Sequence, residues 1–196
     1  MSFTSRQHVP SYSCRKRLRL PISVVVHVEH DPVAVAVCKF NTDNDRIDHR
    51  YIENFEDIYG QGDEADDELV ASFMQKHGPI DLVLGAAPCQ NYSGLNARSN
   101  RSSENAQYLL KIGRLVHKLN GFQMSRLGVK DKVLFLSENV VFSNHDEVDK
   151  SYSIGEDESL PPMCVDAKDF GPCKRKRFYW INVSIVAKDR FTVSQQ

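Results

Sequence analysis

Three short, nearly continuous apolar runs constrain this chain most: residues 22–28 (Ile-Ser-Val-Val-Val-His-Val), 81–85 (Asp-Leu-Val-Leu-Gly) and 133–137 (Val-Leu-Phe-Leu-Ser). Continuous apolar runs of this length, rich in β-branched residues, suit strands buried on both faces of a parallel sheet. Helical signals separate them. Asp31-Pro32 offers an N-cap with proline at the first helical position, which predicts a helix over 33–40, although its alternating Val and Ala also suit a strand. A second helix is expected over 69–76, stopped by Gly78-Pro79, and a third over 103–119 with Leu109, Ile112, Val116 and Leu119 on one face. Residues 55–58 read as the end of a strand after Tyr51-Ile52, and 163–166 and 177–182 as two short strands. Strands alternating with helices predict an α/β fold with a mostly parallel sheet.

Composition narrows the class. At 196 residues, with 41% hydrophobic and 26% charged residues, the chain can form one domain with a real core. No apolar run is long enough to cross a bilayer, so no membrane partner is expected. The first twenty residues carry Arg6, Arg15, Lys16, Arg17 and Arg19 without an apolar stretch, which is no secretory signal. They read as a flexible basic tail, and 187–196 as a C-terminal tail, around a folded region at 21–186. Residues 61–68 contain five acids and read as a solvated insertion, and 146–158 as an acidic mobile loop. The five cysteines, Cys14, Cys38, Cys89, Cys164 and Cys173, are odd in number and lack CxxC spacing, so neither a disulfide framework nor a zinc site is expected. His27, His77, His117 and His145 show no metal-ligand spacing, and no metal is expected. With a net charge of −1, any contact with nucleic acid must come from local clusters.

In open α/β sheets the working residues gather beyond the carboxyl ends of the strands, which selects Glu29, Cys89 and Glu138. Cys89 is a candidate nucleophile, although a free cysteine is more often a small buried hydrophobe. Glu138 can donate a proton or anchor a hydrogen bond, or simply end a strand at the surface. Glu29 can accept both hydroxyls of a ribose, with a helix N-terminal acid as the plain alternative. In Lys174-Arg175-Lys176-Arg177, an extended chain puts Arg175 and Arg177 on one face, suited to phosphate or an extruded base, or to a solvated sheet edge.

The order of these features is more specific than any one of them. Glu29, Asp57-Ile58, Pro88-Cys89-Gln90, Glu138-Asn139-Val140 and Arg175-x-Arg177, spread over 22–183, resemble the DNA cytosine-5 methyltransferases. The stretch Asp81-Leu82-Val83-Leu84-Gly85-Ala86-Ala87-Pro88-Cys89 is similar to the strand before the Pro-Cys of the de novo class. The resemblance implies a Rossmann-like S-adenosylmethionine-dependent methyltransferase core with an incomplete, mixed and mostly parallel sheet. It implies transfer of a methyl group to C5 of a flipped cytosine through a covalent adduct of Cys89. Glu138, Arg175 and Arg177 would act with Cys89. Glu29, Asp57, Ile58 and Pro88 would hold S-adenosylmethionine, and Gln90, Asn139 and Val140 would face the base.

The implied partners are double-stranded DNA and another methyltransferase subunit or chromatin protein, and the implied location is the nucleus. The family's Phe-x-Gly-x-Gly cofactor turn has no counterpart, since no glycine precedes Gly60, and the expectation is a catalytic domain truncated at both ends. The alternatives are an inactive fragment or accessory pseudoenzyme that binds DNA or a methyltransferase partner, and an RNA cytosine methyltransferase. A cysteine hydrolase would need a histidine partner for Cys89, and the spacing nominates none.

Overall fold

The computed structural model describes residues 21–43, 46–86, 104–141 and 162–182. Their elements are mixed α and β, with neither sheet closed into a barrel. The contacts divide the chain into two compact units that part between Pro79 and Ile80.

In the first unit β1 (Val24–Val28) pairs in parallel with β2 (Asp48–Ile52). The connection is α1 (Pro32–Thr42), capped by the Asp31 carboxylate, which accepts from the Val33 and Ala34 backbone N–H groups at 2.8 and 3.4 Å. The helix reading of 33–40 therefore holds, and the strand alternative fails because the cap and Pro32 start a helix. Residues 55–58 differ from expectation: Glu56–Tyr59 is a short helix, α2, and no strand end. Phe55, Ile58 and Tyr59 are all buried, and their i, i+3, i+4 spacing is that of one helix face.

Gly60, at φ +90°, ends α2, and its N–H bonds to the Glu56 carbonyl. From there the acidic stretch leads into α3 (Asp67–His77), capped by Asp66 through the Glu68 and Leu69 N–H groups. Gly78, at φ +81°, ends that helix. Arg50 on β2 reaches the end of α3, where its guanidinium donates to the Lys76 carbonyl at 3.0 Å.

The second unit holds a four-stranded sheet in the order β3-β4-β6-β5: Leu82–Ala86, Leu134–Val140, Lys176–Ile181 and Met163–Asp166. β3 and β4 are parallel, linked through α4 (Glu104–Phe122) and a π turn (Gln123–Leu127). β6 lies antiparallel to both β4 and β5. Only the short stretch of residues 167–175 joins β5 to β6, too little chain for a parallel crossover. The 3-10 turn Ala167–Asp169 reverses the direction there.

Ile112, Val116 and Leu119 of α4 are buried, as their spacing predicts, and so is Leu115, together with Phe135, Phe178 and Trp180 of the sheet. Leu109 lies outside the described side chains. Each such residue contributes about 1.5–3 kcal/mol by leaving water. Asn182 ties the start of β4. Its Oδ1 accepts from the Phe135 N–H at 2.8 Å, and its Nδ2 donates to the Val133 carbonyl at 2.7 Å. The tails at 1–20 and 187–196 and the acidic stretch 146–158 lie outside the described residues. No helix among the described residues is long and apolar enough to cross a membrane.

Candidate functional site

Topology gathers the chemical groups of the second unit at one edge of its sheet. β3 and β4 run in parallel, and Ala86 at the end of β3 pairs with Glu138. β6 runs the other way and so begins at the same edge, where Arg177 pairs with Val140. β5 ends there too, with Asp166 opposite Lys176. The carboxyl edge of the parallel strands thus receives the Arg175 to Arg177 segment, although 36 positions separate Arg175 from Asn139 in the sequence.

The alternation of a strand then sorts the side chains by face. Glu138 and Arg177 share one, and Arg177 Nε lies 2.7 Å from Glu138 Oε1. Both side chains are partly covered, at 21% and 32% exposure, so the pair sits in a setting less screened than open surface. Glu138 was expected just past a strand, but β4 continues to Val140 and carries it within the sheet. Ser137, Asn139, Phe178 and Trp180 lie on the opposite, buried face. Asn139 Oδ1 accepts from the Val140 N–H at 2.8 Å. Asn139 therefore points away from the face on which Glu138, Val140 and Arg177 stand.

Arg175 is placed by its backbone. Its N–H donates to Asp166 Oδ1 at 3.0 Å, and the Lys168 N–H donates to the same oxygen at 3.1 Å. Desolvation pushes the Asp166 pKa up, but these two N–H groups and the nearby Lys168 and Lys176 charges outweigh it, so the carboxyl lies below the usual range. Tyr179 stands directly across from Glu138, with Met163 on its other side. Burial raises the Tyr179 phenol above its ordinary pKa and the Glu138 charge adds to the rise, with Arg177 and Arg175 opposing. Tyr179 is not among the residues that the sequence motifs single out. Its signal was two-residue spacing from Arg177, which puts both on one face.

In the first unit Glu29 follows β1 and is 4% exposed. One carboxylate oxygen, Oε1, accepts from the Asp31 N–H at 3.0 Å and lies 3.7 Å from His30 Nδ1. The other, Oε2, is buried without a hydrogen-bond partner among the described residues. An unmet buried acceptor is costly, and a ligand hydroxyl would satisfy it. Glu29 thus fits the ribose of a nucleoside cofactor. Asp57 is exposed on α2, whereas Ile58 is 2% exposed in the core. No hydrogen bond or ion pair among the described residues links Asp57 to Glu29.

A second buried group beside β1 carried no signal in the sequence. His27 Nε2 and His49 Nδ1 are 2.9 Å apart, and His27 Nδ1 lies 3.5 Å from Cys38 Sγ. The Tyr51 hydroxyl donates to that sulfur at 3.5 Å and stacks its ring on His27. Strand pairing brings His27 beside Tyr51, and α1 lays Cys38 over both. Burial pushes the Cys38 thiol up and the Tyr51 phenol up to about 12, so both stay protonated at neutral pH. Cys38 is therefore a hydrogen-bonded core thiol, without the thiolate that a nucleophile requires. Among the described residues no group of three His, Cys, Asp or Glu could hold a metal ion.

Pro88, Cys89 and Gln90 lie outside the described residues. No protein-family model matches the chain.

Proposed function

We propose that this chain is a Rossmann-like methyltransferase catalytic domain that transfers a methyl group from S-adenosylmethionine to C5 of cytosine in DNA. The observation that carries this reading is the 2.7 Å pair of Glu138 and Arg177 at the carboxyl edge of β3 and β4. β3 is the strand that leads towards Pro88-Cys89 in the sequence. A carboxylate and a guanidinium on one sheet face can together hold the polar edge of a flipped pyrimidine.

The chemistry then divides among the chain's own residues. Cys89, as thiolate, adds to C6 of the ring and makes C5 electron-rich. Glu138 hydrogen-bonds the N3 and exocyclic amine edge, which favours that addition. Arg175 and Arg177 steady the base and the negative charge that develops on it. Loss of the C5 proton then expels the cysteine. S-adenosylmethionine, when bound, supplies the methyl group taken up at C5, and the unmet Glu29 Oε2 suits one of its ribose hydroxyls. Double-stranded DNA is the proposed partner, and the nucleus the proposed location.

A second reading is an accessory chain that binds DNA or a methyltransferase partner without catalysis. Incubation with duplex DNA and S-adenosylmethionine labelled in its methyl group separates the two. Label at C5 of cytosine, lost in Cys89→Ser, supports the enzyme. A folded chain that binds DNA and transfers no label supports the accessory.

A further inference from the structure

We infer that Tyr179 is a base-binding residue of the Glu138 site, its ring forming the wall against which the base held by Glu138 packs. The inference rests on the functional reading above and deepens it.

Glu138 and Tyr179 are direct cross-strand partners of an antiparallel pair, so their side chains leave the sheet side by side, with Cβ atoms about 4.5–5.5 Å apart. Arg177, two residues before Tyr179, fixes the carboxylate through Oε1. Met163 of β5 is the cross-strand partner of Tyr179 on its other side. A phenol is longer than a glutamate side chain, so a ring leaving the sheet beside Glu138 can reach past the carboxylate to a base hydrogen-bonded there.

The hydroxyl makes no hydrogen bond among the described residues, and burial only raises further a pKa that already lies well above neutral, so the ring carries no charge. A neutral ring beside a carboxylate and two arginines adds contact with the flat of the base, which charged groups cannot supply. Stacking tolerates any heterocycle, and the edge contacts of Glu138 choose among them.

Single-turnover methyl transfer at saturating duplex DNA and S-adenosylmethionine tests this with Tyr179→Phe and Tyr179→Ala. Loss of the ring is expected to slow the chemical step by at least about fivefold in Tyr179→Ala, and Tyr179→Phe is expected to restore it. The Kd for the duplex, set by phosphate contacts, should stay within about twofold in both variants. Thermal melting of each variant checks that the fold is kept. A Tyr179→Ala rate equal to wild type would overturn the inference, and so would a Tyr179→Phe rate as low as that of Tyr179→Ala. A wild-type chain that transfers no methyl group would sink the functional reading itself, and this inference with it.

Discussion

Replacing Gly85 with alanine should test the packing of β3 on α4 more sharply than any truncation. A Cβ at position 85 would lie 3.2 Å from both Cδ1 and Cγ2 of Ile112 and 3.5 Å from Ser137 Oγ. Carbon atoms settle at about 3.5–4.0 Å, so two methyl groups of one side chain must give way together. Ile112 is 1% exposed, and its β-branched side chain has few alternative rotamers in a helix. Overpacking of this kind costs about 2 kcal/mol at mid-range, and the stiffer unfolded chain returns about 0.7 kcal/mol, so the net loss is about 1.3 kcal/mol.

Urea unfolding should show a midpoint lower by roughly 1 M at a slope of about 1.5 kcal/mol/M. Ile112→Val removes one of the two clashing methyls. The double variant should therefore be less destabilised than the sum of the singles, by about 0.5–1 kcal/mol. A neutral Gly85→Ala, or strict additivity in that cycle, would refute the packing described here.

Asn182→Ala should cost about 2 kcal/mol in the same assay, because it strands the Phe135 N–H and the Val133 carbonyl. Asn182→Asp, which keeps only the acceptor, should fall between that variant and wild type. Asp166 should contribute to acid lability. Its folded pKa lies below the unfolded value, so its stabilisation is present above about pH 4 and is lost as pH falls through the folded pKa. Asp166→Asn should flatten the fall in melting temperature below about pH 4, and an unchanged slope would contradict the Arg175 turn as drawn. Calorimetry of S-adenosylmethionine binding should show weaker binding in Glu29→Ala, since Oε2 is the unmet acceptor, and equal affinity would remove Glu29 from the cofactor site.

What the sequence disclosed follows from the range of the interactions involved. Asp31-Pro32 and Gly78 were legible because caps and stops are decided within a few residues. The buried face of α4 was legible because a 3.6-residue period is local. Residues 55–58 look extended in the sequence because Phe55 and Ile58 follow the apolar Tyr51-Ile52, whereas in the fold Tyr59 completes a helical triplet with them.

The meeting of Glu138 with Arg177 depends on pairing across 39 positions and on β6 being antiparallel, which the short link after Asp166 decides. The apolar pattern alone pointed to parallel strands and held nothing about that reversal. The His27, His49 and Cys38 group was invisible for the same reason, and Tyr179 carried only its two-residue spacing from Arg177. Each gains its neighbours only when two strands come into register.

The covalent step tests the central claim most directly. Duplex DNA carrying 5-fluorocytosine cannot lose a proton from C5, so a cysteine that has added to C6 stays bound after methyl transfer. With S-adenosylmethionine present, the wild-type chain should form a complex resistant to detergent, and peptide mass mapping should place the base on Cys89. Cys89→Ser should form none. A folded chain that binds both DNA and S-adenosylmethionine yet yields no adduct, or an adduct on a different cysteine, would contradict the proposed chemistry.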